Sequence, residues 1–353
     1  FVVLEYAKNN KLFVPVDKLQ LVSKHTPGEG TSPALDTLGG TGWQRKASRV
    51  RKAVRDIADK LVRLYAEREA RPGYPFAAPA AYYSRFESSF PWEETEDQHR
   101  AINEVLADMQ RERPMDRLIC GDVGFGKTEV AMRAAFLALL DGKQVALLVP
   151  TMVLAEQHRL TFERRMEGFP VTVECLSRER SAAEVRDISD RLEKGEIDVI
   201  IGTHKLLSNA LKFRDLGLLI IDEEHRFGVE HKEMLKVHGP RVDVLTLTAT
   251  PIPRTLHMSM SGLRDISLIQ TPPVDRLSIR TLVSRPSEEV IGEAIRHELS
   301  RGGQVFFVHN RVGDIAEQAE LIKRIVPEAR LAIGHGQMRR GALEKVMLGF
   351  MRG

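Results

Sequence analysis

The chain of 353 residues is poor in cysteine and tryptophan, with two of each, and aromatics make up only 6% of it. Cys120 and Cys175 both lie in apolar, strand-like runs. They form no ligand-spaced pair, which argues against a structural metal site, and a disulfide does not fit a cytoplasmic chain. No apolar run has the length of a membrane-spanning helix, and no signal peptide is visible. The chain is therefore read as cytoplasmic. A dominant charge sign is also missing: 52 Lys and Arg against 49 Asp and Glu leave +3. That balance is too small to argue for nucleic acid unless local clusters carry the case. What is present, 42% hydrophobic and 29% charged residues, is an ordinary globular composition of two or three domains. The chain starts at Phe1 without a Met and stops at Gly353 directly after a helical pattern, so a segment of something longer is expected.

The most informative stretch is Gly121-Asp122-Val123-Gly124-Phe125-Gly126-Lys127-Thr128, which has the G-x-x-x-x-G-K-T spacing of a phosphate loop. The apolar run Leu118-Ile119-Cys120 precedes it as a strand would. Glu129 to Leu140 follows as a helix would. Glycines let backbone N–H groups close around phosphates, and the helix N-terminus adds partial positive charge. Lys127 is expected to reach the β- and γ-phosphates of ATP, and the Thr128 hydroxyl to bind Mg²⁺.

Ahead of this loop, residues 1–24 alternate apolar and polar in three runs: Phe1 to Tyr6, Lys11 to Val16 and Leu19 to Val22, with Asn9-Asn10 as a turn. This predicts a small antiparallel β-unit, either a docking module or a structural cap. A Gly-, Pro- and Ser-rich linker spans 26–42. Val50, Val54, Ile57, Leu61 and Leu64 then form one apolar stripe of a helix crowded with Arg and Lys. That basic face is read as solvated rather than as a DNA-contacting surface. Tyr74 to Trp92 reads as an irregular connection. Thr95 is a good N-cap for a helix to Met109, and Gln98, one turn in, offers a donor and an acceptor to an adenine edge.

After the loop, apolar strands alternate with helices. Strands are expected at 144–149, 171–176, 197–201, 217–221 and 244–247, and helices at 151–165 and 181–194. Near-continuous apolar strands predict a parallel sheet covered on both faces, an α/β fold. Polar clusters follow the strand ends: Pro150-Thr151, Gly202-Thr203-His204, Asp222-Glu223-Glu224-His225 and Thr248-Ala249-Thr250. Ligands of such sheets bind at those ends. Asp222 is expected to hold Mg²⁺ and Glu223 to polarise the attacking water. Leu263 to Ser278 reads as an interdomain linker, and a second alternating unit begins at Ile279, with Gln304 to His309 its clearest strand.

These blocks, with Thr248-Ala249-Thr250-Pro251-Ile252-Pro253-Arg254-Thr255, resemble the motifs of superfamily 2 helicases, and more narrowly the RecG-like translocase group. Phe125, Glu224 of the DEEH box (Asp222, Glu223, Glu224, His225) and the leading β-unit resemble the branch that couples transcription to repair. The resemblance implies a P-loop RecA-like first lobe over 90–262, a linker over 263–278 and the start of a second lobe over 279–353. It also implies an RNA polymerase β-subunit docking module over 1–42, with Leu19 as a contact, and a connector over 43–89. It further implies ATP-driven movement on double-stranded DNA and recruitment of excision-repair proteins through regions not seen here. Thr151, Gln157 and His158 resemble motif Ia, and Thr203, His204 and Lys205 motif Ib, both implying DNA-backbone contact. Thr248 and Thr250 resemble the motif that couples nucleotide state to DNA grip. Alternatives are a RecG-like branch-migration motor and a nucleotide-gated scaffold. Motifs V and VI, with the family's arginine fingers, are not found in this sequence, and such a finger is worth about 10³ to 10⁵ in kcat. The 353-residue chain should therefore bind ATP–Mg²⁺ yet turn it over very slowly. Robust DNA-stimulated phosphate release by the purified chain would contradict this.

Overall fold

The structure, a computed structural model, describes residues 1–7, 10–16, 18, 22, 48–49, 52, 72–176, 181–207, 211–223, 241–249, 264–274, 276, 279, 281–285 and 287–352. It divides into two compact units, 1–67 and 68–353. In the first, β1 (Val2–Glu5) and β2 (Lys11–Val14) pair antiparallel, with Val3 opposite Phe13 and Leu4 opposite Leu12. Tyr6 N–H closes the connection on the Asn10 carbonyl at 2.8 Å. Phe1, Val3 and Phe13 remain exposed, as a two-stranded unit cannot bury both faces. Leu19 and nearly all of the basic stripe lie outside the described residues.

The second unit opens with a correction. Residues 74–92, expected to be irregular, contain α1 (Ala81–Ser88). Tyr83 and Phe86 are its buried face, and Phe86 stacks on Phe136 with ring centroids 4.1 Å apart. Eight residues give too little periodicity to stand out; tertiary packing makes this helix.

The next helix, α2 (Glu96–Met109), begins at a capping box. Gln98 N–H donates to Thr95 Oγ1, and Thr95 N–H donates to Gln98 Oε1. Then β3 (Asp116–Gly121), α3 (Lys127–Leu140), β4 (Gln144–Leu148), α4 (Met152–Arg165), β5 (Val173–Leu176), α5 (Ala182–Lys194), β6 (Val199–Gly202), β7 (Leu216–Asp222), β8 (Asp243–Thr248) and β9 (Asp265–Ile269) follow. The seven strands of this unit form one parallel sheet in the order β5-β6-β4-β7-β8-β3-β9. β4, β6 and the middle of β7 are buried on both faces, which explains their unbroken apolar runs. Helix α3 is nearly all buried. Its first turn follows Gly126, in a left-handed conformation, so it starts at Lys127 rather than at Glu129.

Two further expectations fail. The supposed linker 263–278 contains β9, an edge strand running parallel to β3 with Gly121 opposite Ile269. Its buried and exposed residues alternate because one face packs inward and the other is open, so it lacks the apolar run of a central strand. The first-lobe sheet thus extends past residue 262. Gly121 lets β9 come close: a Cβ there would sit 2.9 Å from the Ile269 carbonyl oxygen. Second, Gln304 to His309 forms no strand. Among the described residues no neighbouring strand offers it a ladder, and Phe306 and Val308 are exposed. Around it, α6 (Glu288–Ser300) and α7 (Ile315–Ile325) share a small core of Ile295, Ile322 and Val326, and α8 (Arg340–Arg352) follows.

Asp97, in the first turn of α2, fastens the segment after β9. Its Oδ2 accepts from the N–H groups of Gln270 and Thr271 and from the Thr271 hydroxyl, each at 2.9 Å. These bonds, the Gln270 amide first, hold its carboxyl down to about 2 from 3.8. A depressed carboxylate contributes stability above the unfolded value and loses it as pH falls through the folded one. The contribution should be whole above about pH 4 and vanish towards pH 2. Asp97→Ala should lower the thermal midpoint at pH 7, and the gap from wild type should close in acid melts. Equal midpoints at pH 7 would contradict this.

Candidate nucleotide site

Strand β3 delivers the phosphate loop and β7 delivers Asp222 and Glu223, with β8 between them. Two sheet spacings put the strand axes roughly 10 Å apart, a span that a triphosphate and one cation can bridge. Gly124 and Gly126 have φ of 82° and 80°, the left-handed geometry that curls successive N–H groups inward. Lys127 Nζ folds back onto the carbonyls of Gly121 at 2.7 Å and Asp122 at 2.9 Å. Burial pulls its ammonium below the usual lysine range, while Asp222 and Glu223 act to hold it up. The lysine and both carboxylates thus share one electrostatic site.

Gln98 meets the loop from α2. Its Nε2 donates to the Phe125 carbonyl at 3.0 Å, and the residue is 5% exposed. The expected adenine reader is therefore also a clamp joining the capping box to the loop. Gly126 is fixed by it: a Cβ there would lie 2.3 Å from Gln98 Nε2. Arg133, on α3, binds Glu129, Glu87 and Glu94, so the chain entering α2 is tied to the helix that the loop begins.

Glu223 has φ 56°, and its N–H donates to the Leu247 carbonyl at 3.1 Å. A left-handed glutamate costs about 1–3 kcal/mol and persists where the surroundings impose it. Here the β7–β8 ladder does so at its last rung. Thr248, buried at the end of β8, is in register with Cys120, directly before the loop. It lies between the two halves of the site. Glu224, His225 and Thr250 lie outside the described residues.

The expected DNA residues separate. Thr151 caps α4, accepting from Leu154 N–H at 3.2 Å, and Gln157 is exposed. His158 is not a surface residue: it is 8% exposed, and its Nε2 lies 2.9 Å from Asp222 Oδ2. One position further along the helix turns a side chain from solvent to core, and no local sequence signal reports that pairing across 64 residues. Thr203 is also buried, and its hydroxyl finds no partner among the described residues. His204 and Lys205, in the 3₁₀ turn that follows, are half-buried.

The donors fit ATP with Mg²⁺. A hydroxyl at Thr128, one carboxylate at Asp222 and the phosphates themselves are the oxygen ligands that ion prefers. Among the described residues no cluster of three or more His, Cys, Asp or Glu could hold a metal by itself. No described helix is long and apolar enough to cross a membrane.

A parallel sheet with this loop, Asp-Glu at the end of the strand two positions away and a glutamine clamp is the arrangement of a helicase-type P-loop ATPase module. A family model described as DEAD/DEAH box helicase matches residues 95–259. In sequence, the chain matches transcription-repair-coupling factors. It is 54% identical over 350 residues to that factor from Myxococcus xanthus, covering 99% of this chain and 29% of the relative. To the factor from Bacillus subtilis (strain 168) it is 53% identical, covering 99% and 30%. The structure of RecG bound to a three-way DNA junction superposes with a TM-score of 0.66 at 33% identity, covering 91% of this chain and 43% of that one. The helicase MrfA bound to DNA shares the fold alone, with TM-score 0.52 at 16% identity. The chain spans about 30% of the length of the curated relatives it matches.

In a protein of those relatives' length, His158→Ala should lower ATP turnover about 10- to 100-fold, as loss of a carboxylate-orienting partner does. DNA affinity should not change. Weakened DNA binding with normal turnover would return His158 to the DNA surface.

Proposed function

We propose that this chain is the ATPase portion of a double-stranded DNA translocase that acts on stalled RNA polymerase and couples transcription to nucleotide excision repair. The observation that carries the reading is a complete phosphate loop facing Asp222 and Glu223 on one sheet edge, in a chain more than half identical to transcription-repair-coupling factors.

Lys127 exchanges its two backbone carbonyls for the β- and γ-phosphates. Thr128 and Asp222 would hold Mg²⁺, which would supply charge neutralisation at the phosphates. Glu223 orients a water against the γ-phosphorus and takes its proton. Thr248 carries the change from the loop to the β7 end. Thr151, Gln157, His204 and Lys205 are proposed to lie along the DNA backbone, where affinity falls steeply with salt. The β1–β2 hairpin, with Leu19 beyond it, is proposed as the polymerase-docking module. Residues 43–71 are proposed as its connector, and 279–353 as the opening of a second lobe.

The test is displacement of a stalled polymerase by a protein of the relatives' length. Lys127→Ala should abolish nucleotide binding but leave polymerase capture intact. Glu223→Gln should bind ATP and lower kcat about 10²- to 10⁴-fold. The likeness to junction-bound RecG supports a second reading, branch migration. Unwinding of three-way junctions without polymerase displacement would favour it. A Glu223→Gln protein that still displaces polymerase would point instead to a nucleotide-gated scaffold.

A further inference from the structure

Asp122 is an anomaly in the phosphate loop. It is the one carboxylate among residues 121–128, set in a loop whose N–H groups and lysine are arranged for anions. An uncompensated negative charge a few ångströms from a polyphosphate opposes its binding. The structure shows the compensation. Asp122 Oδ1 accepts from Val123 N–H at 2.8 Å, and Asp122 Oδ2 lies 3.3 Å from an Arg276 guanidinium nitrogen. Both contacts lower the carboxyl's affinity for a proton, the Val123 amide first, so Asp122 stays ionised.

Arg276 comes from far along the chain. It follows β9, after the Asp97 tether at Gln270 and Thr271 and after Pro272 and Pro273, and its N–H closes a turn on the Pro273 carbonyl at 3.1 Å. Its guanidinium lies over the Phe125 ring, 4.7 Å from the centroid. The side chain also runs beside Gly124, where an added Cβ would be 3.6 Å from Arg276 Nε. One arginine therefore touches three consecutive features of the loop: the Asp122 carboxylate, the Gly124 bend and the Phe125 ring. The Phe125 carbonyl is already held by Gln98, so Gln98 and Arg276 grip this residue at two points.

We propose that Arg276 is a positioning residue of the nucleotide site, holding the Asp122 carboxylate to itself and keeping that charge off the phosphates of a bound nucleoside di- or triphosphate. The inference rests on the nucleotide-site reading above and adds a dependence on a segment outside the family's loop motif. Moving the chain that leaves the sheet after β9 removes the counter-ion from Asp122, so nucleotide affinity depends on where that segment lies.

The test is titration of the 353-residue chain with mant-ADP and Mg²⁺. Arg276→Ala should weaken binding about fivefold, the scale of one solvent-exposed charge beside the phosphates. Asp122→Asn alone should bind at least as well as wild type. In the double variant, Asp122→Asn should restore affinity to within about twofold of its own value, because the charge that needed compensation is gone. Restored affinity also shows that the double variant is folded. If Arg276→Ala binds like wild type, the inference is overturned. It is equally overturned if the double variant stays as weak as Arg276→Ala, since Arg276 would then contact the nucleotide directly. A wild-type chain that fails to bind mant-ADP overturns the nucleotide site itself, and this inference with it.

Discussion

The Gln98 amide on the Phe125 carbonyl is the contact on which the carboxyl edge of the sheet depends. A phosphate loop needs glycines with positive φ, and glycines are the residues with most freedom to leave that geometry. Something outside must hold them. Gln98 does so because its own helix start is fixed: its other amide atom closes the capping box with Thr95. The Gly126 position is then limited on two counts, by its φ of 80° and by the Gln98 side chain that occupies the space of a Cβ. The loop is pre-shaped by this clamp, and the cost of ordering it need not come from the ligand.

The opposite side of the site is shaped by a different constraint. β7 ends where its ladder with β8 ends, and Glu223 takes a left-handed turn as its N–H reaches the Leu247 carbonyl. Asp222, one residue earlier, is steadied by His158 from α4. Two adjacent carboxylates are thereby separated, one held by a histidine and the other turned by the backbone. That separation lets neighbouring residues take the two roles proposed for them, at a cation and at a water, rather than compete for one.

Much of this could be read in the sequence because its physics is local. The loop spacing, the Thr95 cap and the apolar central strands each leave a signature within ten residues. Features that pair across the chain left none. β9 is visible only beside β3, α1 only beneath Phe136, and Arg276 only against Asp122, 154 residues away. His158 was singled out for its position after Gln157, and the structure gives it the inward face of the same helix. Gln304 to His309 erred in the opposite direction: its pattern is strand-like, but a ladder needs a neighbour that is absent among the described residues.

The backbone at Glu223 also bears on which acid this position can use. Asp and Asn enter left-handed backbone more readily than longer side chains do, so local preference alone would place an aspartate there. The chain has a glutamate instead, whose carboxylate stands about 1.5 Å further from the main chain. Reach has outweighed conformational ease, and a shortened acid at 223 would trade a more relaxed turn for a carboxylate too far from the water proposed for it.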